Sequence, residues 1–228
     1  AVNELVRKNT EVFQSQKQFI ENASHEMQTP LSIIQSRLEA LIGQAELSKK
    51  QAEILEGIIG STQRLKKLSK TLLLLSKIEN RQFILSEQVD IKTILSRSME
   101  FYEEHKAALN ISVKAETRDS LIVQGNIMLT EILIQNLLKN AFLHNIENGM
   151  VSVQIMENKL IIANTGQKQE IGKVLEKDKL FSRFYKQSSN PNTWGLGLAI
   201  ALKVAETSGW GLHYYEEERL HIFEVNFG

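Results

Sequence analysis

The chain has 228 residues, 42% of them hydrophobic, with 27 Lys+Arg against 27 Asp+Glu and no cysteine. The charge balance excludes a net field that would draw the protein onto nucleic acid or an anionic surface, so no nucleic-acid partner is expected. The lack of cysteine excludes disulfides, thiolate metal sites and a cysteine nucleophile, and fits a reducing compartment.

From Val2 to about Ile42 apolar residues recur at intervals of three and four (Val2, Leu5, Val12, Phe19, Ala23, Met27, Leu31, Ile34, Leu38, Leu41), which predicts one long amphipathic helix. At 1.5 Å per residue it would run about 60 Å, so its stripe needs an equally long partner. Gly43 and Glu46-Leu47-Ser48 supply a turn, and a second helix carries Ile54, Leu55, Ile58, Leu65, Leu68, Leu72, Leu75 and Ile78. An antiparallel hairpin of two helices leaves apolar surface open, so dimerisation into a four-helix bundle is the expected remedy. The leucines Leu72 to Leu75 lie between Lys70 and Lys77, and no apolar run approaches the roughly 20 residues of a spanning helix. Because the chain opens inside a helical pattern without a signal peptide, it reads as a fragment of something longer.

Around Asn80 to Glu87 the pattern breaks. We expect a hairpin domain over 1–80, a linker over 81–87 and a second domain over 88–228. In the second, a strand at Gln88–Ile91 precedes a helix to about Ala108, strands at Asn110–Ala115 and Leu121–Gln124, and a helix from Ile127 to about Glu147. The alternation Val151, Val153, Ile155 followed by Leu160 to Ala163 predicts a hairpin of strands. A helix from Gly195 to about Ser208 stops at Gly209, and strands near Gly211–Glu216 and His221–Asn226 close the chain. The fold class is α+β: a long helical hairpin, then a two-layer α/β sandwich with helices on one face of a sheet.

Five stretches are candidates for chemistry. In Phe19–Ser32, FIENASHEMQTPLS, a histidine stands beside a carboxylate, His25-Glu26, with Thr29 and Pro30 following. Proline inside a helix costs roughly 3 kcal/mol, so stability alone is a poor reason for it. A helical histidine is usually a boundary residue, but imidazole can attack a phosphoryl group if its other nitrogen is oriented, and Glu26 can take the proton. Thr29 is four residues on, on the same face.

On the helix from Ile127, Asn136, Asn140 and His144 form an uncharged polar row between apolar rows. It is either a solvent stripe or an oxygen donor set suited to Mg²⁺. Gly195-Leu196-Gly197-Leu198 opens a helix after a turn-rich loop, where phosphate can approach backbone N–H groups, although two glycines also suit simple packing. Asn164-Thr165-Gly166 at a strand end is ordinary turn chemistry or a ligand edge, and Phe181, Phe184 and Tyr185, with Arg183 and Lys186 between and after them, read as a core anchor for a loop.

Together these pieces resemble the catalytic core of a sensor histidine kinase of two-component signalling. His25 to Leu31 resembles the phosphoacceptor box, LLLLSKIEN the end of the second dimerisation helix, and Asn136 to Ala141 the asparagine box. Asn164-Thr165-Gly166 is similar to the first glycine box, Leu180 to Lys186 to the phenylalanine box, and Gly195 to Ile200 to the second glycine box. The order is the family's and the boxes span nearly the whole chain.

The resemblance implies an ATP-dependent autokinase in which His25 attacks the γ-phosphate, Glu26 acts as base and Thr29 helps dephosphorylate a partner's phospho-aspartate. It implies that Asn140 ligates Mg²⁺, that Asn136, His144, Asn164, Gly166, Phe181, Arg183, Phe184, Gly195, Leu196, Gly197 and Leu198 line the nucleotide site, and that 167–194 holds a lid. The implied partners are a second copy and a response-regulator receiver domain. The implied location is the cytoplasmic part of a bacterial protein anchored upstream in the inner membrane. The chain departs from the family pattern in four places: Asn164 stands for an aspartate, Lys168 for a glycine and Leu143 for a basic residue, and the glycine before the second glycine box is absent, with Thr193-Trp194 in that region. They motivate a second reading, a signalling scaffold or phosphatase-biased module with a degraded nucleotide site. A third, a chaperone- or gyrase-like ATPase, leaves His25-Glu26 and Pro30 unexplained.

Overall fold

The computed structural model describes residues 26–43, 47–117, 120–166, 177–186 and 194–228. The chain forms two compact units, one ending at Asn80 and the other beginning at Arg81.

In the first unit, helix α1 covers 26–43 and continues through Pro30. Residues before Glu26, His25 among them, and the turn at 44–46 lie outside the described residues. Helix α2 (Lys49–Glu79) starts at Ser48, whose hydroxyl accepts from Gln51 N while the Gln51 side chain accepts from Ser48 N at 3.0 Å. This reciprocal box satisfies two donors that a bare helix end leaves orphaned. The helix stops at Asn80, whose amide Nδ2 donates to Ser76 O at 2.6 Å.

The buried positions Leu55, Thr62, Ser69 and Ser76 of α2 recur every seven residues. Thr62 returns its hydroxyl to Ile58 O at 2.9 Å, which removes the penalty of burying it. The apolar stripe expected on α2 is divided: Leu55, Leu75 and Ile78 are buried, but Ile54, Ile58 and Leu65 are exposed, as are Ile33, Ile34, Leu41 and Ile42 on α1. Two helices can cover only part of a stripe more than 100° wide.

The second unit runs β1 (Glu87–Asp90), α3 (Ile91–Glu100), α4 (Glu103–Ala108), β2 (Ser112–Glu116), β3 (Ile122–Gly125), α5 (Ile127–Leu143), β4 (Met150–Met156), β5 (Lys159–Thr165), α6 (Lys177–Leu180), α7 (Gly197–Ser208), β6 (Gly211–Glu217) and β7 (Leu220–Asn226). Five strands form one sheet in the order β2-β4-β5-β7-β6, with only β2 and β4 parallel, and β1 pairs with β3 in a separate ribbon. Helix α5 packs on β5 and α7, and α7 on β6. Leu133, Ile134, Leu137 and Leu138 from α5 and Leu160, Ile162, Phe223 and Val225 from the sheet are fully buried. This is the helix-on-sheet sandwich that the alternating pattern predicts.

Local chemistry moves three boundaries. The single helix expected up to Ala108 breaks at Phe101-Tyr102 into α3 and α4, where the Tyr102 ring stacks on Phe142 with centroids 4.6 Å apart. Helix α5 ends at Leu143 rather than near Glu147, because Asn145 binds its own backbone surroundings: its Nδ2 donates to Met150 O at 3.1 Å and its Oδ1 accepts from Ile146 N at 2.9 Å. Helix α7 starts two residues after Gly195 and ends at Gly209, which adopts the left-handed conformation (φ 75°) as expected.

Asp90 ties β1, α3 and the approach to β3 together. Its carboxylate accepts from Lys92 N at 3.0 Å, Thr93 Oγ1 at 2.7 Å and Ser120 Oγ at 3.0 Å. Asp90→Ala is expected to lower the stability of the 228-residue chain by about 1–2 kcal/mol in urea unfolding, with Asp90→Asn recovering most of it.

Candidate functional site

Strand register builds the site. On the helix-covered face, Leu160 lies opposite Val225, Ile162 opposite Phe223 and Asn164 opposite His221. Val113 pairs with Val151, Val151 with Asn164 and Glu216 with His221, so the last transverse row reads Val113, Val151, Asn164, His221, Glu216. Directly opposed residues project to the same side, so a dry face turns polar within a single row.

Asn164 is fully buried. Its Nδ2 donates to Thr165 O at 2.9 Å, which fixes the amide orientation and leaves Oδ1 buried without a partner. An unpaired buried acceptor costs about 1–3 kcal/mol, and such groups in a native fold call for a ligand donor or an equivalent reason. Thr165 holds this strand end in place: its hydroxyl donates to Asn145 Oδ1 at 2.6 Å and accepts from Met150 N at 2.9 Å. The next residue, Gly166, has no room for a side chain because the His221 ring occupies that space.

Helix α5 brings its polar row to the same sandwich. Asn136 is half-buried, and its Nδ2 donates to Ile132 O at 2.8 Å. That bond turns Oδ1 toward the start of α7, where a methyl on Gly197 would come within 2.8 Å of it. Asn140 is half-buried and makes no side-chain hydrogen bond among the described residues. His144 caps the helix and is the most exposed of the three. Partial loss of hydration, then the neighbouring His221 and Lys139, hold its pKa below the ordinary imidazole value. The row is thus neither a plain solvent stripe nor a uniformly buried one.

The two loop motifs meet through their backbones. Phe184 adopts a left-handed conformation (φ 64°) and its N–H donates to Gly195 O at 2.9 Å. Gly195 is also left-handed (φ 65°), and a side chain there would strike the Tyr185 carbonyl. Phe181 is half-buried, Arg183 and Phe184 are exposed, Leu196 is buried and Leu198 half-buried. The Lys186 ammonium lies 5.8 Å from the centre of the Trp194 ring, a cation–π contact joining the two sides of the loop. The intervening residues 187–193 and the segment 167–176, where a lid was expected, lie outside the described residues.

Reasoning from sequence missed His221 and Tyr214. The Tyr214 hydroxyl sits 2.6 Å from His221 Nδ1. Burial raises the pKa of the phenol and lowers that of the imidazole. The available signal was the period-two alternation that puts His221 on the inward face with Phe223 and Val225. In the first unit, Glu26, Thr29 and Pro30 are exposed on α1. An open groove of about 730 Å³ lines the same helix along Gln28, Thr29, Ser32, Ile33, Ser36 and Arg37.

A helical region followed by a helix-on-sheet sandwich is an architecture this chain shares with solved histidine kinases. Residues 15–81 match the His Kinase A (phospho-acceptor) domain. The heme sensor protein HssS of Staphylococcus saprophyticus is 31% identical over 190 residues, covering 82% of this chain and 41% of that protein. Sensor protein CutS of Streptomyces coelicolor is 28% identical over 216 residues, covering 91% and 51%. Among solved structures, histidine kinase AdeS of Acinetobacter baumannii superposes with a TM-score of 0.59 at 20% identity, covering 90% of this chain and 97% of that one. Full-length ShkA, solved in complex with AMPPNP, gives a TM-score of 0.72 at 18% identity, covering 92% and 46%. The chain thus carries a His Kinase A (phospho-acceptor) domain and is similar over most of its length to sensor histidine kinases. It spans about half the length, or less, of the curated relatives it matches. Among the described residues no helix is long and apolar enough to cross a membrane.

Gly195→Ala combines a left-handed backbone with a collision at the Tyr185 carbonyl. It is expected to cost about 1–3 kcal/mol of stability in thermal or urea unfolding, whereas Gly209→Asn, at the open αL cap of α7, should cost under about 1 kcal/mol.

Proposed function

We propose that the chain binds ATP in the second unit and transfers the γ-phosphoryl group to His25, which then passes it to an aspartate of a response-regulator receiver domain. The observation that carries the nucleotide reading is Asn164 Oδ1, a fixed and buried acceptor with no partner, suited to an exocyclic N–H of adenine. Asn136 and Asn140 on α5 and the start of α7 at Gly197 supply oxygens and exposed backbone N–H groups for the phosphates. Asn140 is the residue that would hold Mg²⁺, and the ion would supply charge neutralisation on the phosphate oxygens. AMPPNP bound to ShkA, a protein of the same fold, agrees with this reading.

In this scheme an imidazole nitrogen of His25 attacks the γ-phosphorus, the bond to ADP breaks and Glu26 accepts the imidazole proton. Thr29 positions water for the opposing reaction, hydrolysis of the receiver's phospho-aspartate to aspartate and inorganic phosphate. Residues 1–80 are the dimerising phosphotransfer hairpin, 81–87 the linker and 88–228 the ATP-binding domain. Exposed Ile33, Ile34, Leu41, Ile54, Ile58 and Leu65 support pairing of two hairpins into a four-helix bundle. The groove beside Thr29 suits a docking receiver. The chain is then the cytoplasmic part of a protein anchored in the membrane upstream.

The second reading, a scaffold or phosphatase-biased module, is favoured by Asn164 itself. A neutral amide accepts more weakly than a carboxylate, by about 1 kcal/mol, or roughly fivefold to tenfold in nucleotide affinity. Incubation with Mg²⁺ and ATP is expected to give an acid-labile phosphate that His25→Gln abolishes and Asn140→Ala reduces about 100-fold. Mixing the two variants tests dimerisation, because phosphate formed only in the mixture requires transfer between subunits. ATP binding without phosphate would favour the second reading, and no binding would overturn the nucleotide site.

A further inference from the structure

We propose that His221 is a base-reading residue: with Asn164 it forms a donor–acceptor pair that selects adenine over guanine. This rests on the proposed nucleotide site and names a residue outside all of the motifs that suggested it.

The geometry begins with register. His221 is the direct cross-strand neighbour of Asn164 on the helix-covered face, where opposed Cβ atoms lie roughly 4.5–5.5 Å apart. Its ring leans over Gly166, the residue that follows this strand, and fills the volume a side chain there would take. The site therefore has two polar walls side by side: an amide oxygen without a donor and an imidazole edge.

The edge has a defined polarity. Tyr214 is only 8% exposed and its hydroxyl meets Nδ1 at 2.6 Å, with the two rings inclined by 18°. A buried phenol needs somewhere to donate, and Nδ1 is the acceptor on hand, so the ring proton belongs on Nε2. Burial keeps the phenol protonated and the imidazole neutral near pH 7. Nε2–H is the atom that faces Gly166.

An acceptor beside a donor is the complement of one purine edge. Adenine offers an exocyclic N–H next to the lone pair of N1, which match Asn164 Oδ1 and His221 Nε2–H. Guanine offers the reverse, a carbonyl oxygen next to N1–H, so acceptor would face acceptor and donor would face donor. Sites built on hydrogen bonds discriminate strongly against such mismatches, because buried groups are left unpaired. Nothing in this requires His221 to touch the phosphates, so its effect is on binding the base.

The test is calorimetric titration of the 228-residue chain with ADP, GDP and 1-deaza-ADP, which has C–H in place of N1. Wild type is expected to prefer ADP over 1-deaza-ADP by about tenfold. His221→Ala should lose about tenfold for ADP, leave 1-deaza-ADP unchanged and narrow the ADP-to-GDP ratio. His221→Gln should recover the preference, because its amide N–H can reach the place of Nε2–H. Tyr214→Phe should weaken ADP alone, by releasing the tautomer. Equal weakening of ADP and 1-deaza-ADP in His221→Ala would overturn the proposal in favour of a packing role. If that variant fails to fold, wild type decides: equal affinity for ADP and 1-deaza-ADP overturns the base contact while leaving the nucleotide site intact. Wild type binding none of the three overturns the nucleotide site and this inference with it.

Discussion

A carboxamide sunk to zero exposure with its oxygen unpaired is the constraint around which the second unit is arranged. Strand β5 carries it inward by simple alternation, Leu160, Ile162, Asn164, and the two leading residues are fully buried beneath the helices. Once there, the amide cannot turn to pair its oxygen without giving up the bond from Nδ2 to Thr165 O. Thr165 cannot shift without breaking with Asn145 and Met150. The free acceptor is therefore held by bonds made on its behalf, and the apolar core of α5, β5 and β7 offsets its cost.

Helix α5 has two duties that the 3.6-residue repeat keeps apart. One face delivers Leu133, Leu137 and Ala141, with Ile134, Leu138 and Phe142 beside them, into the core. The Asn136 and Asn140 row sits at its margin, half-buried. Gly197 favours that placement: a side chain there would press on Asn136 Oδ1, so that the amide would have to turn away and give up its bond to Ile132 O, or α7 would have to shift. Packing and site geometry are thus set by the same contact between α5 and α7.

This division explains which parts were legible in the sequence. Periodicity is local, so the core rows of α5, the hairpin of β4 and β5 and the Gly209 stop of α7 could be read directly. The break at Tyr102 could not, because it depends on a ring stacked on Phe142, forty positions away. The early end of α5 was hidden in Asn145, a residue that looks harmless in a helix until Met150 and Thr165 are brought beside it. The exposure of Ile54, Ile58 and Leu65 was likewise invisible, since a stripe announces that a partner is needed but not how much of it one neighbouring helix can cover. His221 shows the same limit most sharply: its partner Asn164 is a neighbour only through strand register, which no local pattern displays.

The first unit inverts the arrangement of the second. Its recurring buried seam on α2 is Leu55, Thr62, Ser69 and Ser76, three hydroxyl residues out of four, while Ile54, Ile58 and Leu65 face outward and Leu75 and Ile78 are buried near the end of the helix. Small hydroxyl side chains remove little apolar surface from water, so each contributes far less than the roughly 2 kcal/mol of a buried leucine or isoleucine. Their virtue is that the hydroxyls can be satisfied within their own helix, as Thr62 is by Ile58 O, so the seam can be repacked without stranding a donor. A partner covering the aliphatic face, as in the proposed dimer, would add stability to such a hairpin by mass action, beyond what its own buried residues supply. In the proposed dimer, the helix carrying Glu26 and Thr29 would be held firmly on its outer side and loosely along the hydroxyl seam of its neighbour, which is the arrangement a phosphoacceptor helix needs if it is to meet two different partners in turn.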